Sequence, residues 1–141
     1  MIARRTDAHL ASAAAKRVER WQRIARQASE QSRRPFPPEI AAPIKLSESL
    51  SFAESTRIVL AESEDQTLLR DVLVPHAAAR PGKDDAQFVL AIGPEGGWTD
   101  EELAAFQQSG WISASLGNTV LRAETAAIAA TAIVASALSG P

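Results

Sequence analysis

Apolar positions along the chain recur first at the spacing of a helix and then in short unbroken runs. Val18, Trp21, Ala25 and Ala28 fall three or four residues apart, which predicts an amphipathic helix from about Ala8 to Ser32 with these side chains on one stripe. Lys16, Arg20 and Arg23 follow the same period on another face. The run Pro35-Phe36-Pro37-Pro38 ends the helix, because a proline drives the residue before it out of helical geometry. Leu46-Ser47-Glu48 then predicts a short helix through about Phe52, with Ser47 as its cap.

From there the pattern alternates. Arg57–Ala61 (RIVLA) reads as a buried strand, Asp65–Val74 as a helix ended by Pro75, and Phe88–Ile92 (FVLAI) as the next strand. The glycine-rich Gly93–Gly97 follows at once. Thr99-Asp100-Glu101-Glu102 has the form of a capping box, in which side chain and amide of residues three apart satisfy each other. That helix is expected to end near Ser109, with Gly110 as a left-handed stop. Trp111–Leu116 is a further strand and Glu124–Leu138 a closing helix. Strands alternating with helices predict an α/β fold, a mainly parallel sheet flanked by helices. Ligands in such sheets sit beyond the carboxyl ends of the strands, where both glycine-containing loops fall.

Composition narrows the chemistry. The chain has 141 residues, enough for one domain with a core, and no cysteine, which excludes disulfides, thiolate metal sites and cysteine nucleophiles. No secretory signal opens it, and the apolar Ala126–Leu138 is too short to span a bilayer. A cytoplasmic protein with no membrane partner is expected. The net charge of −2 hides an asymmetry: residues 1–34 hold nine basic and three acidic side chains, so this segment is +6 and the remainder −8. A basic segment on an acidic body attracts phosphate, although a solvated helix face carries the same pattern.

Two loops carry the candidate chemistry. In Gly93-Pro94-Glu95-Gly96-Gly97 the glycines let backbone approach a ligand and the proline stiffens the turn. The spacing matches neither a dinucleotide fingerprint nor a P-loop; a tight strand-to-helix turn alone would also produce it. The second loop, Leu116–Ala126 (LGNTVLRAETA), holds Arg122 between apolar residues and a helix start. Arg122 reads either as a substrate group or as the partner of Glu124 or Glu95 in an ion pair that fixes the loop. His9 and His76 fall in no motif, and no cluster with metal-ligand spacing occurs, so no metal is expected.

Taken together, IGPEGGWTDEEL and LGNTVLRAETAAIAA resemble the SPOUT superfamily of knotted methyltransferases. More narrowly they resemble the family that methylates N3 of a uridine in small-subunit ribosomal RNA. The helix RVERWQRIARQASEQSRR is similar to that family's segment before its catalytic domain. The resemblance implies a C-terminal trefoil knot, a homodimer with the closing helix near the interface, and a basic helix and linker over 1–38 packed on a methyltransferase domain over 39–141. It implies S-adenosylmethionine as cofactor, held by Leu60, Ala61, Ile92, Gly93, Pro94, Gly96, Gly97, Leu116, Gly117, Val120, Leu121, Thr125 and Ala126. Arg122 would stabilise the deprotonated uracil or hold a phosphate, and Glu95 and Glu124 would accept a proton or orient Arg122. Lys16, Arg20, Arg23 and Arg122 would contact ribosomal RNA. Two departures stand out. The family's usual N-terminal RNA-binding β-barrel has no counterpart in these residues, and Asn118-Thr119 stands where the family often has Pro-Arg. A module of the same fold that binds cofactor or RNA and needs a separate RNA-binding domain is the alternative.

Overall fold

The computed structural model describes residues 1–6, 8–52, 56–79 and 87–139. Three parallel strands, β1 (Thr56–Leu60), β2 (Phe88–Ile92) and β3 (Ile112–Ala114), form a sheet in the order β2-β1-β3. Thr56 pairs with Phe88 and Leu60 with Ile92 on one side; Ile58 pairs with Ile112 and Leu60 with Ala114 on the other. The branched run at β1 takes the central place, where both faces are covered: Ile58 and Val59 are almost wholly buried.

Strand periodicity divides the core in two. Ile58, Leu60 and Ala114, with Phe88, Leu90 and Ile92 beside them, pack on one face against Leu69 and Leu73 of α3 (Leu69–Ala79) and Ala130 and Val134 of α5 (Ala123–Ser139). Val59 and Ala91 point the other way, onto Trp98, Phe106 and Trp111 and onto Ala3 of the N-terminal segment. Phe106, on α4 (Asp100–Gln108), has no exposed surface, and its ring meets Trp98 and Trp111 edge to face at 5.0 and 4.9 Å. Layered helix, sheet and helix thus match the α/β architecture expected from the alternation.

Local boundaries differ where tertiary contacts compete with propensity. The predicted helix over 65–74 is instead Leu69–Ala79. At its start, Glu64 Oε1 accepts from the amides of Gln66 and Thr67, and Leu68 forms a parallel bridge with Ser115, which keeps 65–68 extended. At its end the helix runs through Pro75, placing His76 in α3 rather than in a loop. Proline's φ of about −65° is compatible with a helix, and the cost of its missing N–H and of its ring against the preceding turn is offset by the packing of Leu69 and Leu73 against α5. The short helix α2 (Leu46–Ser49) is capped at Lys45, two residues earlier than expected from Ser47, with Glu48 Oε1 accepting from Lys45 N. The strand expected over 111–116 keeps only Ile112–Ala114 in the sheet, Trp111 being buried against Phe106.

The first helix, α1 (Ala8–Gln31), lies within the predicted range. Its more buried positions are Ala14, Val18, Ala25 and Ser29, whereas Trp21, Ile24 and Ala28 are exposed, a stripe rotated from the predicted one. Among the described side chains, none of α1 belongs to either core cluster.

Candidate active site

All three strands are parallel, so the loops leaving Leu60, Ile92 and Ala114 emerge at one edge of the sheet. Hydrogen bonds then tie these loops to one another. After β2 the chain makes a tight turn, Gly97 N donating to Pro94 O at 2.8 Å, with Gly97 at φ +68°, a conformation glycine adopts without a side-chain clash. Trp98 folds back beneath this turn and its indole Nε1 donates to Leu60 O at 2.8 Å, a buried bond between the second loop and the end of β1. Gly93 leaves room for that indole: a Cβ there would lie 3.2 Å from Nε1.

Thr99 next caps α4 as the sequence predicts. Its Oγ1 accepts from Glu102 N, and Glu102 Oε2 accepts from Thr99 N. Glu102 is buried, and its second oxygen accepts from Arg4 N at 2.7 Å, joining the N-terminal segment to the same helix end. On the surface beside it, a hydrogen bond from Thr99, a backbone bond and the Arg4 guanidinium hold the Glu101 carboxyl below its ordinary range. Helix α4 ends at Ser109, and Gly110 takes φ +77°.

The loop after β1 is anchored to the end of β3. Ser115 N donates to Thr67 O at 2.9 Å, and Leu69 N donates to Ser115 O at 2.9 Å. The third loop then departs. Gly117 takes φ +118°, and residues 116–121 form no backbone–backbone hydrogen bond among the described residues. Six consecutive peptide groups are therefore available to a ligand or solvent. At Arg122 the chain enters α5, its carbonyl accepting from Ala126 N at 2.8 Å.

Between the loops lies a cavity of about 820 Å³, within the roughly 300–1,000 Å³ typical of small-molecule sites. Of the residues singled out from the sequence as cofactor contacts, all but Thr125 line it: Leu60, Ala61, Ile92, Gly93, Pro94, Gly96, Gly97, Leu116, Gly117, Val120, Leu121 and Ala126. Glu95 and Arg122 also line it; Glu124 and Thr125 are exposed on the first turn of α5 and do not. Neither Glu95 nor Glu124 comes within ion-pair distance of Arg122. Lys16, Arg20 and Arg23 are exposed along α1, away from the lining. Among the described residues no cluster of three metal-ligating side chains occurs, and no helix is long and apolar enough to cross a membrane.

Several lining residues escape a reading of the sequence. Beyond Glu62, at which the first cofactor loop is expected to begin, Ser63, Glu64 and Asp65 continue the wall below β1; the carboxyl-end rule points to them once Leu60 is taken as a strand end. Asp100 and Leu103 enter from the first turn of α4. Arg5 carries no periodic or motif signal, because it reaches the cavity through an association across 91 residues, Nη1 donating to Gly96 O at 2.7 Å.

Comparison with known proteins agrees with this geometry. A family model described as the RNA methyltransferase domain matches residues 1–135. The ribosomal RNA small subunit methyltransferase E of Synechocystis is 36% identical over 124 residues, covering 86% of this chain and 39% of that protein. Its counterpart in Aquifex aeolicus is 30% identical, covering 84% of this chain and 48% of its own length. Among solved structures, the ribosomal RNA small subunit methyltransferase E of Neisseria gonorrhoeae, bound to S-adenosyl methionine, superposes with a TM-score of 0.73 at 30% identity, over 99% of this chain and 53% of its own. The chain thus spans about half the length, or less, of the relatives it matches. With the match running from the first residue to the last turns of α5, the chain belongs to the RNA methyltransferase domain family, the SPOUT-like family that its two loops resemble.

Proposed function

We propose that the chain transfers a methyl group from S-adenosylmethionine to N3 of a uridine in small-subunit ribosomal RNA. The observation that carries the reading is the single cavity shared by the three loops, one of which offers a run of unspent peptide groups. These residues fit the cofactor. The backbone of 116–121 suits the hydrogen-bonding edge of adenine, Leu60, Ile92 and Leu116 suit its faces, and the carboxylates of Glu62 and Asp65 attract a cation. Bound there, the cofactor supplies an electrophilic methyl group on a sulfonium.

The chain's own residues then handle the base. Neutral uracil N3 carries a proton and is a poor nucleophile, so that proton must leave before or during attack. Among the described residues no carboxylate lies at ion-pair distance from Arg122, which lines the cavity, so its charge is available to stabilise the anion developing at the uracil oxygens or to hold an adjacent phosphate. Glu95, exposed on the turn that lines the cavity, is the candidate to accept that proton; Glu124, on the first turn of α5, lies outside the lining and beyond ion-pair distance of Arg122. Lys16, Arg20 and Arg23 on α1 supply sequence-independent attraction for the RNA backbone.

A C-terminal trefoil knot, a division at 38/39 and a cytoplasmic homodimer complete the proposal. Beyond Glu124 in its first turn, the exposed face of α5, with Ile128, Thr131, Ala132 and Leu138, carries no charge, which suits a second copy packed against it. Incubating the chain with small-subunit RNA and isotopically labelled S-adenosylmethionine tests the reaction. N3-methyluridine in the nuclease digest is the expected product; label at another position, or on another base, contradicts it. Thr119, exposed on the cavity rim at the position where the family resemblance implies arginine, favours one alternative: a module that binds the cofactor but needs a separate domain to act on RNA. Binding without transfer distinguishes it.

A further inference from the structure

Gly96 is not among the glycines at positive φ, so its backbone is one that other residues can adopt. What glycine provides there is space. A Cβ would lie 3.2 Å from Arg5 Cβ and 3.4 Å from Arg5 Cδ, because the aliphatic stem of Arg5 lies across this residue. The guanidinium then turns onto the same peptide, Nη1 donating to Gly96 O at 2.7 Å. A charged donor makes such a bond stronger than a neutral one.

The segment that carries Arg5 is itself fixed to the body. Ala3 is buried in the core, Ile2 N donates to Ile44 O at 3.0 Å, and Arg4 N donates to buried Glu102 at 2.7 Å. From this anchored base Arg5 reaches the exposed part of the cavity wall, at Glu95 and Gly96. Within the wall, the 94–97 turn holds one backbone–backbone hydrogen bond, Gly97 N to Pro94 O.

We infer that Arg5 is a positioning residue for methyl transfer, a latch that holds the 94–97 turn in the shape that forms one wall of the cofactor cavity. The inference rests on reading that cavity as the S-adenosylmethionine site. Without the latch the turn relaxes outward, the cofactor is held less tightly and its methyl group is less well placed. The fold itself does not depend on the contact, because the bond lies on the surface.

Calorimetric titration of the whole chain with S-adenosylmethionine tests this, with thermal unfolding measured alongside. If the unaltered chain binds nothing, the cofactor reading fails; the latch is judged only on ratios between chains that bind. Arg5→Ala is expected to weaken binding about tenfold, the scale of one hydrogen bond to a charged group, with an unchanged unfolding midpoint. Arg5→Lys, which keeps the stem and one donor, recovers most of that loss. Arg4→Ala removes a neighbouring charge of the same sign that points to Glu101, and leaves binding unchanged. Gly96→Ala weakens binding by displacing the stem, and the double variant loses less than the product of the single losses, since both act through one contact. Should Arg5→Ala fail to fold, the lysine variant and Gly96→Ala still decide. Binding by Arg5→Ala within about twofold of the unaltered chain overturns the latch. So do equal losses in Arg4→Ala and Arg5→Ala, a lysine variant no better than alanine, or single losses that multiply independently.

Discussion

Arg122 and Trp98 represent two different ways in which a single residue serves the site. Arg122 lines the cavity and has no ion-pair partner among the described residues. Arg122→Ala is therefore expected to lower methyl transfer about 10²- to 10³-fold, the cost of removing one oxyanion-stabilising donor, while the affinity for S-adenosylmethionine stays nearly constant. Equal losses in both measurements would make Arg122 a structural residue. Trp98 is the reverse case: its ring is buried and its one polar atom is bonded to Leu60 O. Trp98→Phe keeps an aromatic ring, though a smaller one, and leaves that buried carbonyl unpaired, which alone should cost about 1–3 kcal/mol in chemical denaturation and slacken the junction between two loops. At the surface, Glu101 contributes stability above the ordinary glutamate pKa that is lost as pH falls through its lowered folded value. Glu101→Gln should flatten the acid side of the stability–pH curve in that window.

Among the elements, α4 follows most directly from its local sequence. Its capping box, its end at Ser109 and the left-handed Gly110 all follow from residues three apart or adjacent, and each lies where the pattern puts it. Thr99→Ala is expected to cost about 1 kcal/mol, the typical loss of a helix cap, and to loosen Arg4 as well, since Glu102 serves both amides. Phe106→Ala, at the centre of two edge-to-face aromatic contacts, is expected to cost about 3–5 kcal/mol by denaturant titration. Helix α3 was less legible because its limits are set by distant groups. Glu64 and the Leu68–Ser115 bridge hold the residues before it extended, and Leu69 and Leu73 pack it on α5. On α1 the helix was legible but its buried stripe was not, because alanines at many positions allow more than one face to turn inward. Arg20→Glu with Arg23→Glu should weaken RNA binding and flatten its salt dependence; an unchanged salt slope would make that face ordinary solvated surface.

At the scale of the molecule, parallel strands turn separate sequence motifs into one site. The glycine-rich turn and the Arg122 loop are recognisable because each follows a strand and opens a helix, and the sheet brings their ends to the same edge. Arg5 was not legible, since nothing near it in sequence reports a hydrogen bond to Gly96. Nor could spacing tell that Glu124 and Thr125 lie outside the cavity lining while Ala126 lies within it. That depends on where α5 begins and which way its first turn faces. The central claim is that these converging loops hold an adenosyl sulfonium. Titrating the folded chain with S-adenosylmethionine by isothermal calorimetry tests it most directly. Saturable binding at one site per chain, competed by S-adenosylhomocysteine but not by ATP or NAD, is the predicted result; a folded chain that takes up no S-adenosylmethionine would contradict it.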